Sequence, residues 1–198
     1  YNVAIQAAKH INEYNDQRRD IDKQMTDEAN VIVDKLQSQS HRSSIVLYDE
    51  NWKKGVIGIV ASRLTEIHFR PTVVLTRDGD FATGSARSVA GFDVYSAIKS
   101  CRDILVNFGG HTYACGLTLR WENVPEFCRR FHAYVDEHIE PMQTEPTLKI
   151  DATIDFRDIT KRLYHDLKRF APFGPGNLKP SFCTMNVYDF GTSKVVGR

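Results

Sequence analysis

The chain has 198 residues, 41% hydrophobic and 26% charged, with a formal net charge of +1 at pH 7. This length fits one large domain or two small ones, and so small a charge gives no overall field favouring nucleic acid or membranes. No apolar run approaches the roughly 20 residues of a transmembrane span, and the N-terminus lacks a signal-peptide pattern. The four cysteines form no Cys-x-x-Cys pair, which argues against zinc and favours free thiols in a reducing, cytoplasmic compartment.

The first predicted element is a long amphipathic helix over residues 2–37. Apolar residues recur there at three- to four-residue steps, and the segment contains neither glycine nor proline. A helix this long at a chain start has little to pack on by itself, so we predict a connector whose partner lies outside these residues. The serine-rich patch 38–44 breaks the pattern, and we assign residues 1–43 to the connector helix and linker.

Strands and helices alternate over residues 44–140, which predicts an α/β domain. We expect strands at 45–48, 72–76, 81–88 and 114–119 and helices at 55–69, 92–101 and 124–139. Asp93 is a candidate N-cap of the second of these helices.

Two prolines among the polar residues of 140–146 mark a linker, and the pattern changes after it. Alternation predicts strands over 148–155 and 181–188, separated by a helix over 159–170 and a sharp turn at 173–177. So few strands leave open sheet edges. We therefore expect residues 147–198 to form a truncated β domain, or a β domain completed by another segment. Tyrosine at position 1 likewise suggests that the chain is a piece of a longer protein.

Two stretches suit anion recognition. In 84–88, Arg87 supplies a permanent charge, Ser85 and Ser88 supply hydroxyls, and Gly84 allows close approach. In Gly109-Gly110-His111, the glycines admit a ligand to the backbone and the histidine donates a hydrogen bond, since no orienting carboxylate is near in sequence. Taken alone, the first stretch is more simply explained as a strand end with a surface arginine, and the second is weak evidence because Gly-Gly is also an ordinary turn. Together they predict two loops that converge on one phosphate.

Other segments are ambiguous. We expect Gly58 to allow close packing of a helix on the sheet rather than to bind an anion. The loop residues Lys53 and Lys54 either touch a polyanion or are simply solvated. Basic residues interleaved with aromatics after residue 147 fit either a single-strand binding groove or a solvated helix face over an aromatic core; they are Lys161, Arg162, Lys168 and Arg169. The seven histidines match no metal-binding motif, so we predict a recognition module without a metal site or reaction centre.

These motifs resemble, in order and spacing, the C-terminal part of the RecJ family of single-strand-specific DNA exonucleases. The resemblance covers nearly the whole chain, and its matching stretches are residues 52–64, 70–71, 84–88, 108–111 and 172–177, together with the N-terminal helix. Cys115 departs from the family, which often has a small residue such as alanine there.

The resemblance implies a connector helix that joins an N-terminal Asp-His-His catalytic domain to a mixed-sheet DHH-associated α/β domain, which is followed by an OB-like domain. In the family the catalytic domain binds two Mn²⁺ or Mg²⁺ ions. Such enzymes degrade single-stranded DNA from the 5′ end in recombination and repair. It also implies that Ser85 and Arg87 hold the 5′-phosphate, that the Gly-Gly-His loop faces the catalytic centre and contacts the substrate backbone, and that the OB-like domain guides the strand. The Asp-His-His domain is absent from this sequence, so we expect these residues alone to bind no cofactor and not to cleave DNA.

Two alternatives stay open. One is a phosphoesterase of the same superfamily that acts on short oligonucleotides or phospho-nucleotides, which would not need the basic and aromatic segment after residue 147. The other is a non-enzymatic nucleic-acid-binding module.

Overall fold

A computed structural model of the chain describes residues 2–37, 42–191 and 194. They belong to two compact units, Tyr1–Pro146 and Thr147–Arg198. Within the described residues no helix is long and apolar enough to cross a membrane. Residues 38–41 of the serine-rich patch lie outside the described part of the chain.

The predicted N-terminal helix is confirmed as α1 (Asn2–Gln37), but only its second half is packed. Met25, Ala29 and Val33, at four-residue steps, are buried against α2 (Ile57–His68). The buried carboxylate of Asp22 pairs with Arg63 of α2 across the same interface. Residues 4–14 and 16–20 are exposed, so the first half of α1 extends into solvent.

The first unit contains a five-stranded mixed sheet in the order β1-β2-β3-β5-β4. Its strands are β1 (Ile45–Asp49), β2 (Thr72–Asp78), β3 (Phe81–Arg87), β4 (Leu105–His111) and β5 (Ala114–Arg120). The β1–β2 pair is parallel, because α2 connects the two strands, and the other pairs are antiparallel. The prediction that both anion-binding stretches are loops is wrong: residues 84–87 belong to β3, and Gly-Gly-His is the end of the edge strand β4. Glycine is unfavourable in strands, which is why the sequence pattern does not indicate one there.

The two faces of the sheet pack on different helices. On one face, α2 and the second half of α1 cover apolar residues of β1 and β2, including Ile45, Leu47 and Val74. On the other face lie α3 (Val94–Lys99) and α4 (Val124–His138), whose Phe127 and Phe131 are fully buried. The predicted cap of α3 is confirmed, since the Asp93 carboxylate accepts hydrogen bonds from the backbone N–H groups of Tyr95 and Ser96.

The second unit has less regular structure than its sequence pattern predicts. The predicted strands 148–155 and 181–188 shrink to β6 (Ala152–Thr153) and β7 (Phe182–Cys183), a parallel pair. The predicted helix is present as α5 (Lys161–Lys168), and the predicted turn is closed by two hydrogen bonds between Gly174 and Asn177. Among the described residues of this unit none is buried, and Phe190 is 91% exposed. Alternating apolar residues form a strand only where a neighbouring strand pairs with them, and here the pairing extends over two residues.

Candidate functional site

The strand register brings the two predicted anion-binding stretches onto one face of the sheet. Residues that pair directly across strands point to the same face, as do residues two apart along a strand. Three cross-strand rows over β3, β5 and β4 share the face on which α2 packs: Thr83–Thr118–Asn107, Ser85–Gly116–Gly109 and Arg87–Ala114–His111. We call these nine residues the open platform.

The open platform is a shallow surface with polar groups around a centre that lacks side chains. Gly109, Gly116 and His111 are exposed, and a pocket of about 410 Å³ lies over its glycine and threonine positions. Strands lie about 4.8 Å apart, so the backbones of Arg87 and His111 are separated by about 10 Å across β5. One anion and two side chains can fill such a gap.

Hydrogen bonds to neutral oxygens fix the guanidinium of Arg87. Its Nε donates to Ser62 Oγ of α2 at 3.0 Å, and its Nη1 donates to Ser85 Oγ at 2.8 Å and to the Ala86 carbonyl at 2.9 Å. A guanidinium has five N–H donors, and the two on Nη2 have no partner within the described residues, so they stay available to a ligand. Ser85 Oγ accepts from Arg87 and its own proton has no acceptor within the described residues. The arrangement therefore presents three adjacent donors.

Gly58, in the first turn of α2, lies against this group. A Cβ atom there would be 3.1 Å from Ser85 Oγ and 3.2 Å from Arg87 Nη2. Both distances are tighter than ordinary van der Waals contact, so the glycine leaves room beside the free donors. The expectation that Gly58 permits close packing of the helix on the sheet is confirmed.

The two glycines before His111 have different roles. A Cβ at Gly109 would have no atom within 4 Å, whereas a Cβ at Gly110 would lie 2.1 Å from the Ala114 carbonyl oxygen and 2.6 Å from Cys115 Cα. Gly110 is therefore required by the β4–β5 pairing, and its α-carbon does not belong to the platform face. Gly109 is the glycine at which a ligand can approach the backbone.

Two of the four predicted binding residues in the 84–88 stretch, Gly84 and Ser88, lie apart from the platform. Gly84 faces the opposite side, where a Cβ would be 2.4 Å from Leu75 Cδ2 and 2.8 Å from Leu117 Cδ2. The prediction that Gly84 admits an anion is thus wrong: its missing side chain makes room for two core leucines. Ser88 follows the end of β3, and its hydroxyl donates to the Phe92 carbonyl at 2.7 Å.

His111 is oriented by its own hairpin. Its Nδ1 accepts a hydrogen bond from the backbone N–H of Tyr113 at 3.3 Å, which places the proton of the neutral ring on Nε2. The nearby acidic residues in sequence are engaged elsewhere, Asp93 in capping α3 and Asp103 with Arg130. His111 therefore has the chemistry of a hydrogen-bond donor.

The predicted lysine contacts lie away from the platform. Lys54 pairs with Asp78 at 2.8 Å, and Asp78 stands at the β2–β3 hairpin, six residues along the strand pair from Arg87. That separation is about 20 Å. Lys53 is exposed beside it, and the preceding Trp52 is buried in the core rather than in a solvated loop.

The basic residues of the second unit form an exposed set around α5. Arg162 and Arg169 both lie within 4 Å of Asp166, at 3.8 and 3.9 Å. The Lys168 ammonium lies 4.6 Å from the centre of the Tyr164 ring, a cation–π contact, and Lys161 begins the helix. Asp166 offsets part of the positive charge of this surface.

Sequence reasoning did not identify Ser62, Gly116 or the threonine and asparagine row. Two patterns pointed to them. Ser62 follows Gly58 by four residues, which places both on one face of α2. In β3, Thr83, Ser85 and Arg87 alternate with the buried Ala82, Gly84 and Ala86, and this alternation separates a polar face from a core face.

A second cavity, of about 320 Å³, lies beside β1, α1 and α4. Ser44 Oγ and His132 Nδ1 are 2.7 Å apart in its wall, next to Cys128. Burial, assisted by Arg42, lowers the pKa of His132 to about 4, and burial raises the pKa of Cys128 to about 11. At neutral pH the imidazole is uncharged and the thiol is protonated, so this wall carries neither an activated nucleophile nor a positive charge on the ring.

No metal centre is found in the described ranges: no three or more His, Cys, Asp or Glu side chains there are grouped to hold an ion. The open platform offers one guanidinium, hydroxyl, amide and imidazole donors and an exposed glycine backbone, a set of groups whose chemistry suits an anion.

Each of the two units matches a known domain family. The DHHA1 domain model matches residues 28–137, and the RecJ OB domain model matches residues 150–198. The single-stranded-DNA-specific exonuclease RecJ of Bacillus subtilis (strain 168) is 36% identical over 92% of this chain and 23% of its own length. The RecJ of Escherichia coli (strain K12) is 28% identical over 88% of this chain and 32% of its own length.

The fold agrees with a solved relative. The crystal structure of RecJ in complex with Mn²⁺ from Thermus thermophilus superposes with a TM-score of 0.76 at 26% identity. The match covers 88% of this chain and 25% of that one. The chain thus spans about a quarter to a third of the length of the relatives that it matches.

Proposed function

The chain belongs to the RecJ family, whose DHHA1 and OB domains it contains, and on that premise we propose that it is the substrate-binding C-terminal part of a single-stranded-DNA-specific 5′–3′ exonuclease. One observation carries the proposal. The free Nη2 of Arg87, the free hydroxyl proton of Ser85 and the donor of His111 lie on one exposed face around two glycines whose side-chain positions are open.

The terminal phosphate of the strand binds at Arg87 and Ser85. A 5′-phosphate carries about two negative charges at neutral pH and three oxygens that accept hydrogen bonds. Charge-assisted hydrogen bonds from a guanidinium are roughly twice as strong as neutral ones. No carboxylate of the described residues forms an ion pair with Arg87. The positive charge of that side chain is therefore not neutralised by these residues and is available to attract the phosphate.

The rest of the open platform receives the strand that follows. Gly109 and Gly116 let the sugar-phosphate backbone approach the sheet, and His111, Thr83, Thr118 and Asn107 supply polar contacts. Such contacts position a strand without reading its sequence. A surface of this kind suits an enzyme that degrades strands of any sequence.

The second unit guides the strand. Its exposed aromatic side chains offer faces on which bases stack, and its basic residues attract the backbone. The match of residues 150–198 to the RecJ OB domain favours this role over the alternative of a short-oligonucleotide phosphoesterase.

Hydrolysis takes place in an Asp-His-His domain outside these residues, which holds the Mn²⁺ or Mg²⁺ ions, and the 198 residues alone do not cleave DNA. The metal ions supply activation of the attacking water and stabilisation of the phosphate charge. This chain's own residues hold and orient the strand. The enzyme so formed acts in DNA recombination and repair.

Binding of labelled single strands with a 5′-phosphate or a 5′-hydroxyl tests the proposal. We expect the chain to prefer the phosphorylated strand, and Arg87→Ala to weaken that binding about tenfold or more, because it removes a charge-assisted contact worth about 1.5–3 kcal/mol. Lys54→Ala is the matched control, since it removes one positive charge away from the platform. Equal losses in the two variants, or no preference for the phosphate, would contradict the proposal.

A further inference from the structure

The orientation of Arg87 depends on a neighbouring helix rather than on its own strand alone. Two of its partners, Ser85 and Ala86, belong to β3, but its Nε is held by Ser62 of α2. Ser62 is the only partner of Arg87 outside β3 within the described residues. It therefore sets the direction in which the guanidinium points from the sheet.

The hydroxyl of Ser62 has a fixed polarity. It donates its proton to the carbonyl oxygen of Gly58 at 3.1 Å, so its lone pairs are left to accept the Nε–H of Arg87. Gly58 is also the residue whose missing Cβ leaves room beside Ser85 and Nη2. One turn of α2 thus supplies both the hydrogen bond that holds the guanidinium and the space in front of it.

Helix stability does not account for a serine at this position. Serine is a poorer helix former than alanine, and a serine that bonds to the carbonyl four residues earlier slightly destabilises the helix. Replacement by alanine would therefore leave α2 as stable or more stable if Ser62 were only a helical residue. The bond to Arg87 gives the serine a role that alanine cannot fill.

We propose that Ser62 is a positioning residue that holds Arg87 so that only Nη2, together with the Ser85 hydroxyl, faces the 5′-phosphate. The inference rests on the proposed function of the open platform and deepens it. Because Nε and Nη1 are hydrogen-bonded within the protein, the guanidinium binds the anion through Nη2 alone. A terminal phosphate, with three free oxygens and the larger charge, satisfies these three donors better than an internal phosphodiester with two free oxygens.

The decisive comparison is between Ser62→Ala and Ser62→Thr, because threonine keeps the hydroxyl. The measured quantity is the ratio of affinities of the 198-residue chain for 5′-phosphorylated and 5′-hydroxyl strands. Ser62→Ala lowers this ratio about five- to tenfold, whereas Ser62→Thr restores most of it. The midpoint of denaturant unfolding checks that α2 is intact in both variants.

A second measurement needs no ligand. The Arg87 Nε–H proton, followed by NMR, exchanges slowly with water in the wild type and in Ser62→Thr and rapidly in Ser62→Ala. Equal exchange in all three proteins overturns the positioning role. So does an unchanged affinity ratio in Ser62→Ala when Arg87→Ala abolishes the preference for phosphate. If Arg87→Ala also leaves the ratio unchanged, the proposed function itself has failed.

Discussion

A single row of paired residues crosses the sheet, and its residues are buried in one half of the sheet and exposed in the other. Leu47 and Val74, on β1 and β2, are buried under α1 and α2, whereas Gly116 and Gly109, on β5 and β4, are exposed on the same face. Ser85 stands between the two halves. The backbone pairing continues across the row, so the side chains alone decide which half is covered. Burial of apolar side chains holds helices on the first half, and the second half offers no apolar surface to bury.

The comparison shows which missing side chains serve the fold and which leave a surface free. At Gly84 and Gly110 a Cβ would collide with core side chains or with the backbone of β5. At Gly109 and Gly116 it would meet at most one atom, 3.9 Å away. Nothing in the packing of the described residues requires glycine at the second pair, as expected of a surface shaped for a ligand.

The largest expected effect is a difference in stability between alanine substitutions at Gly110 and at Gly109. Gly110→Ala puts a methyl group into the backbone of β5, so we expect the free energy of unfolding of the first unit to fall by more than about 3 kcal/mol. Gly109→Ala, the matched control one residue earlier, changes it by less than about 1 kcal/mol because its methyl group enters open space. Denaturant unfolding followed by circular dichroism gives both values. Similar losses in the two variants would remove the distinction between the two glycines.

A smaller effect is expected from a histidine beside the covered half. His132 lies beside β1 of the covered half, and burial lowers its pKa to about 4. The unfolded chain takes up this proton near pH 6.5 but the folded chain only near pH 4, so the contribution to stability is complete above pH 6.5 and is lost as the pH falls to 4. We expect a loss of about 2 kcal/mol over this window, less than the full shift implies because the ring is partly accessible to water.

His132→Asn should flatten that pH dependence. His68, whose pKa burial also lowers, adds a loss in the same direction in both proteins, so the difference between the two pH profiles isolates His132. His10→Asn, on the exposed half of α1, is the matched control for the loss of one imidazole. A His132→Asn profile as steep as that of the wild type would show that the buried ring does not titrate as proposed.

The smallest effect on stability is expected at Gly116 in the open half of the sheet, where a substitution should stabilise the fold but weaken binding of a strand. Threonine suits a strand better than glycine, so Gly116→Thr should raise the free energy of unfolding by about 0.5 kcal/mol. The same side chain fills the centre of the open platform and should weaken binding of a single strand about tenfold. Unfolding and fluorescence anisotropy measure the two quantities on one sample. A stabilised variant that binds as well as the wild type would mean that the strand does not cross the platform.

The sequence was sufficient for the elements that depend on local pattern. Periodicity located α1, α2 and α4, and the composition of the two anion-binding stretches indicated Arg87, Ser85 and His111 as donors. The sequence was not sufficient for the spatial arrangement of these residues. Ser85 and Gly109 share one row of the sheet because β3 pairs with β5 and β5 pairs with β4, and no local pattern encodes this pairing. The role of Ser62 depends on how α2 packs on the sheet and was equally hidden. In the second unit alternation predicted longer strands than the few paired residues support.

Chemical-shift mapping with a short 5′-phosphorylated single strand tests the central claim most directly, since it shows where on the chain the strand binds. We expect the largest changes at the backbone amides of Ser85, Arg87, Gly109 and Gly116, with smaller changes for a 5′-hydroxyl strand. Unchanged amides at these four residues, with shifts confined to α5 or to the cavity beside His132, would contradict it.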